Sequence, residues 1–178
     1  MTSPIRIATL TLSDTRTLDD DEGGRLLGSL LRDAGFSIVS HAIVREDGAP
    51  LREALAGLCD PANVDAVVLT GGTGIAPRDT TIETLLPLFD KTLDGFGEAF
   101  RRLSWDQIGP RAILSRATAG VIRGVFVAAL PGSPKAVRLG VEALLAPTLA
   151  HAVELCSGRR VHHHHHTHQA HHAPKDKA

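Results

Sequence analysis

The chain has 178 residues, 43% of them apolar, and a net charge of -1 from 19 basic and 20 acidic side chains. That is enough apolar content for a proper core and excludes a disordered chain. The balanced charge argues against a dedicated nucleic-acid binder, and 3% aromatics with no Tyr leave no stacking platform for single strands. Cys59 and Cys156 form no CxxC pair and no disulfide framework, which suits a reducing cytosol. The N-terminal MTSPIRIATLTLSD lacks a leader-like apolar region, and no apolar run approaches the roughly 20 residues of a membrane helix. A cytoplasmic location is therefore expected.

Strand and helix patterns alternate along the chain, which predicts an α/β layered domain with a largely parallel sheet. A strand is expected over Ile5 to Leu12, then a helix from Glu22 to Ala34 with Leu27, Leu30 and Leu31 on one stripe and Gly35 as its stop. Phe36 to Val44 reads as a strand and Pro50 to Leu58 as a helix. Ala66 to Leu69 is short and wholly apolar, the mark of a strand buried on both faces. Helices are expected over Thr81 to Leu86 and Gly97 to Ile108, the latter with Phe100, Leu103 and the Trp105 region as apolar contacts. Val121–Ile122 and Val125–Leu130 read as strands joined through Arg123-Gly124. A last helix runs from Pro134 to about Leu155, with a bend at Pro147.

The predicted domain spans residues 1–160. Residues 161–178, VHHHHHTHQAHHAPKDKA, have almost no apolar surface to bury and read as a disordered tail. Histidines in such a tract can bind Ni or Zn in vitro, but a solvated tail is the simpler reading. A chain ending at Val161 is expected to keep its melting temperature and oligomer size. A large fall in either would mean that the tail packs on the domain or bridges subunits.

The strongest local signal is Thr70-Gly71-Gly72-Thr73-Gly74 at the end of the buried strand. Ligands of parallel sheets bind at that end, and a glycine-rich turn lets backbone N–H groups converge on an anion. No Lys-Ser/Thr follows, so it is not a Walker A loop, and Pro77 stands where the dinucleotide fingerprint needs Gly. Asp79 closes the loop. Thr80 and Glu83 are spaced as a capping box, which would leave Asp79 spare to face the crevice and hold Mg²⁺. Pro50 at a first helical position places Asp47 outside the next helix, in a loop. Ser133 ahead of Pro134 reads as a helix cap that would also make an anion site with Lys135. Gly23-Gly24, early in a helix, suggests close backbone approach to a ligand. Ser115, Arg116 and Arg123 are candidate phosphate contacts.

In this order the segments resemble the MoaB/MogA family of molybdenum-cofactor proteins. The matching pieces are the strand ending in Ser13-Asp14, Asp21 to Gly24, Asp47, TGGTG with Asp79, Gly95-Phe96-Gly97-Glu98, Ser115-Arg116 and Pro131-Gly132-Ser133. They cover about residues 5 to 160, and the stretch from Leu85 to Trp105 looks more like the MoaB branch. The resemblance implies a three-layer α/β/α sandwich with a mostly parallel central sheet. It implies molybdopterin and ATP as substrates, Mg²⁺ as cofactor, and transfer of the adenylyl group to molybdopterin with release of pyrophosphate. It places the nucleotide on Thr70, Gly71, Gly72, Thr73 and Gly74, and Asp47 with Asp79 on the metal and the reacting phosphates. Molybdopterin falls to Ser13, Asp14, Gly24, Ser115, Arg116, Pro131, Gly132 and Ser133. A homotrimer or homohexamer and other proteins of the cofactor pathway are the expected partners, with no nucleic acid and no membrane. The competing reading is a carrier that holds molybdopterin without adenylating it. A related CinA-type domain is a weaker third, because such proteins normally carry further domains.

Overall fold

The computed structural model describes residues 4–158, so the predicted tail lies outside the described residues. A six-stranded sheet is built from β1 (Arg6–Leu12), β2 (Ser37–Val44), β3 (Ala66–Thr70), β4 (Lys91–Thr92), β5 (Thr118–Ile122) and β6 (Val125–Leu130), in the order β2-β1-β3-β6-β5-β4. The pairs β1·β2, β1·β3 and β3·β6 are parallel, while β5 and β4 add on antiparallel. The helices are α1 (Glu22–Asp33), α2 (Gly48–Leu58), α3 (Thr81–Leu85), α4 (Asp94–Ile108), α5 (Pro134–Leu139) and α6 (Ala146–Ser157).

Two cores explain the three layers. Ile7, Ala66, Val68, Phe126, Ala128 and Leu130 point to one face, where Leu27 and Leu31 of α1, Phe100 of α4, and Val137, Leu149 and Val153 of α5 and α6 cover them. Their sequence neighbours Ala8, Leu10, Val67, Leu69, Val127 and Ala129 point to the other, under Leu51 and Leu55 of α2 and Ile82 and Leu85 of α3. The period-2 alternation thus feeds both layers, and all five residues of β3 are buried.

Most predicted elements form, and the departures have local causes. Arg123 (φ 51°) and Gly124 (φ 80°) make the two-residue β5–β6 turn, whose primed geometry needs positive φ at both positions. This turn lies at the opposite end of β6 from Leu130. Arg123 bonds Asp90 and the Ala56 carbonyl there, so it is no phosphate contact of the glycine loop. The helix α4 begins at Asp94, earlier than expected, and Trp105 faces outward, 48% exposed, while Phe100 is buried. The short strand β4 and the 3-10 turn Gly109–Leu114 carry too little pattern to be seen in sequence.

The last helical stretch, Pro134–Ser157, is continuous and widens into a π-helical turn at Gly140–Leu145. The wider turn sits just ahead of Pro147, which has no N–H to give the preceding turn. This stretch is long and apolar enough, by length and composition alone, to cross a membrane. Its Val137, Val141, Leu145, Leu149 and Val153 recur every four residues and fill the α1-side core.

Candidate functional site

The strand order reverses between β1 and β3. From β1 the chain passes through α1 to β2 on one side, then returns through α2 to β3 on the other. Such a switch point leaves a crevice outside the carboxyl ends of the strands. Register places Thr11 beside Thr70 and Thr70 beside Leu130, so β1, β3 and β6 end level with one another. The segments after all three converge on a cavity of about 550 Å³, within the usual size range of ligand sites.

The floor is glycine backbone. Gly71 has φ 101° and Gly72 φ 62°, and a Cβ on Gly71 would stand 2.5 Å from the Leu12 carbonyl oxygen. Gly71 N donates to the Leu130 carbonyl, and a Cβ on Gly132 would meet Gly71 Cα at 3.4 Å. The loop after β3 and the turn after β6 are therefore packed backbone to backbone. Thr81 fastens the loop from α3, its hydroxyl donating to the Gly71 carbonyl at 3.2 Å.

One group of lining residues is rich in carboxylates: Asp14, Glu46 and Asp79, with Arg78 among them. Arg78 Nε lies 3.6 Å from Glu46 Oε2. Burial pushes the Glu46 carboxyl up from its ordinary value; Arg78 pulls it down, and the charges of Asp14 and Asp79 push it up again. Ser133 with Lys135, Ser104 with Gln107, and Arg111 with Ser115 also face the cavity, beside Phe100, Ile108 and Leu139. Ser133 is the N-cap of α5, accepting from Ala136 N at 3.3 Å, as its sequence context suggested.

Most of the residues singled out in sequence meet here: Ser13, Asp14, Thr70, Gly71, Gly72, Thr73, Gly74, Asp79, Ser115, Pro131, Gly132 and Ser133 all line the cavity. Besides Arg123, three candidates do not. Asp47 caps α2, its carboxylate accepting from Ala49 N at 3.1 Å, because α2 starts at Gly48 rather than Pro50. Its neighbour Glu46 lines the cavity instead, and was missed because the position of the helix start decides which carboxylate is taken up as the cap. Gly24 approaches side chains, not the cavity: a Cβ there would fall 2.1 Å from Asp21 Oδ2 and 2.5 Å from the His41 ring, whereas Gly23 lines the wall. Arg116 grips the outside of the glycine loop.

The expected capping box is absent. Thr80 makes no side-chain cap bond, and Glu83 pairs with Arg116. Asp79 lines the cavity even so, with Oδ2 accepting from Ala76 N at 2.8 Å across the loop.

A buried polar cluster underlies the β1 side of the cavity, joining residues whose local sequence carries little sign of it. Asp21, fully buried, caps α1 by accepting from Gly24 N at 2.9 Å and meets His41 Nε2 at 3.0 Å. His41 Nδ1 lies 2.9 Å from the Thr9 hydroxyl. Thr11 Oγ1 is buried against the same carboxylate, turned off good hydrogen-bond geometry. Burial drives the Asp21 carboxyl up, but the Thr11 hydroxyl, Gly24 N–H and His41 together outweigh it and leave it below its ordinary value. A depressed carboxyl stabilises the fold above its unfolded value of about 3.9. That contribution disappears as pH falls through the lower folded value. Asp21→Asn is therefore expected to flatten the acid limb of a melting-temperature profile below about pH 5. An unchanged limb would mean that other carboxylates set it.

Fold and site together define a class: a three-layer α/β domain with a cavity at the switch point of its sheet, floored by glycine backbone and flanked by carboxylates. Residues 8–151 match the family described as "Probable molybdopterin binding domain", and the chain belongs to that family. It is 48% identical over 150 residues to molybdenum cofactor biosynthesis protein B of Bacillus subtilis, covering 84% of this chain and 88% of that one. A crystal structure of a molybdenum cofactor biosynthesis protein B superposes with TM-score 0.85 at 40% identity, over 89% of this chain and 99% of the other. The tungsten cofactor synthesizing protein MoaB of Pyrococcus furiosus gives TM-score 0.78 at 36% identity, over 88% and 99%.

Proposed function

We propose that the protein transfers the adenylyl group of ATP to molybdopterin, forming adenylyl-molybdopterin and pyrophosphate, as a soluble cytoplasmic step of cofactor biosynthesis. The observation that carries this reading is the composition of the cavity at the strand ends. Glycine backbone and the carboxylates Glu46 and Asp79 suit a nucleotide triphosphate, while Ser13, Ser115, Ser133, Arg111 and Lys135 suit a phosphorylated heterocycle. A non-bridging oxygen of the molybdopterin phosphate attacks the α-phosphorus of ATP, the bond from that phosphorus to the bridging oxygen breaks, and pyrophosphate leaves with the electron pair. No proton needs to move, so the protein's work is alignment and charge neutralisation.

The residues present fit a magnesium ion of the kind that phosphates help to hold. Among the described residues no three His, Cys, Asp or Glu side chains form a ready-made metal cluster. Mg²⁺ commonly takes one or two carboxylates and completes its shell with substrate phosphates and water. Glu46 and Asp79 would hold it, and it would supply neutralisation of the phosphate charge. Asp47, one residue on, serves by fixing the turn that carries Glu46. Arg78, already paired with Glu46, limits the repulsion among Asp14, Glu46 and Asp79. Assembly as a homotrimer or homohexamer and contact with other pathway proteins belong to the same proposal.

Incubating the protein with molybdopterin and Mg-ATP, while following adenylyl-molybdopterin and pyrophosphate, tests it. Formation of both in equal amount is expected. Tight molybdopterin binding without pyrophosphate release would instead establish the carrier.

A further inference from the structure

We propose that Arg116 is a positioning residue: anchored by Glu83, it ties together the two ends of the glycine-loop flap and so sets where Asp79 stands. The proposal rests on the nucleotide reading of that loop. Its basis is the distribution of one guanidinium's bonds. Nε donates to the Thr73 carbonyl at 3.2 Å, and Nη2 donates to the Asp79 carbonyl at 3.3 Å. Nη1 and Nη2 also grip both oxygens of Glu83 on α3, at 2.5 and 3.2 Å. The pairing holds the Glu83 carboxyl below its ordinary value, chiefly through the Arg116 hydrogen bond.

Between the two gripped carbonyls the chain leaves the body of the domain. Ile75, Ala76, Pro77 and Arg78 are all exposed, Ile75 at 68%. Within the flap the carboxylate of Asp79 holds Ala76 N, and Asp79 N donates to the Ala76 carbonyl. The flap is thus closed on itself at its tip and stapled at its base by Arg116, which precedes β5 and does not line the cavity. An exposed ion pair alone contributes little to stability. What this one adds is geometry: a planar fork reaches two carbonyls and a carboxylate at once, which an ammonium cannot reproduce.

The test compares Glu83→Gln, Arg116→Lys and the charge exchange Glu83→Arg/Arg116→Glu with the wild type. It reads amide hydrogen exchange over residues 74–79, KM for ATP against kcat, molybdopterin affinity and melting temperature. Both single variants are expected to fold, to exchange flap amides about tenfold faster and to raise the KM for ATP about tenfold, the factor for about 1.4 kcal/mol. Molybdopterin affinity should be unchanged. The charge exchange should not restore either quantity, because a carboxylate at position 116 cannot donate to the two carbonyls. Wild-type exchange and KM in the single variants would overturn the proposal. So would recovery in the exchanged pair, or a loss of molybdopterin affinity with the KM for ATP unaltered. If the wild type adenylates nothing, the enzymatic reading fails, while flap exchange still decides whether Arg116 positions the loop.

Discussion

Asp79→Asn is expected to lower adenylyl transfer about 10²-fold or more while leaving molybdopterin binding nearly unchanged, the usual scale for losing one electrostatic catalytic group. The substitution preserves size and the capacity to accept from Ala76 N, so the loop keeps its closure. What is lost is the negative charge that would balance a cation between two phosphates. Glu46→Gln should act in the same direction, because Glu46 shares the cavity wall with Asp79 and its carboxyl responds to the Asp79 charge. If both serve one ion, the double variant should fall short of the product of the single losses. Asp47→Asn should do much less, since an Asn retains most of a helix cap's strength. Initial rates of pyrophosphate release at saturating Mg-ATP check all four. A large loss in Asp47→Asn with none in Glu46→Gln would reverse the assignment of the two carboxylates.

Gly71→Ala should cost both folding and activity. The residue has φ 101°, a region that side chains rarely adopt, and its added Cβ would lie 2.5 Å from the Leu12 carbonyl oxygen. Backbone strain and overpacking each cost on the order of 1–3 kcal/mol. A total of about 3 kcal/mol corresponds to a fall of roughly 6–12 °C in melting temperature for a domain of this size. Because Gly71 also packs against Gly132, relief of the clash would push the β3 loop and the β6 turn apart, and nucleotide turnover should vanish. Gly57→Ala is the matching control. It lies in α2 with nothing within 4 Å of its added Cβ, so the fold should gain about 0.5–1 kcal/mol. Equal melting temperatures for the two variants would show that the close approach at Gly71 carries no weight.

Elements whose signals are local can be read from the amino-acid order alone. The wholly apolar Ala66 to Leu69, the Leu stripe of α1, the Arg123-Gly124 turn and the Ser133-Pro134 helix start each carry their own cause within a few residues. TGGTG at a strand end marked the loop that floors the cavity for the same reason: positive φ at Gly71 and Gly72 is a property of glycine itself. Tertiary structure decided everything that depends on which way a side chain turns. Whether Glu46 or Asp47 faces the cavity follows from α2 starting at Gly48, and neither residue's local sequence states it. Thr80 and Glu83 are spaced as a capping box, but a bidentate partner 33 residues away takes the Glu83 carboxylate. Gly24 looks like a ligand glycine until His41, from another strand, is placed against it. Charge pairs and buried polar contacts join residues far apart in the chain, and their energies exceed the few tenths of a kcal/mol by which local propensity distinguishes neighbouring positions.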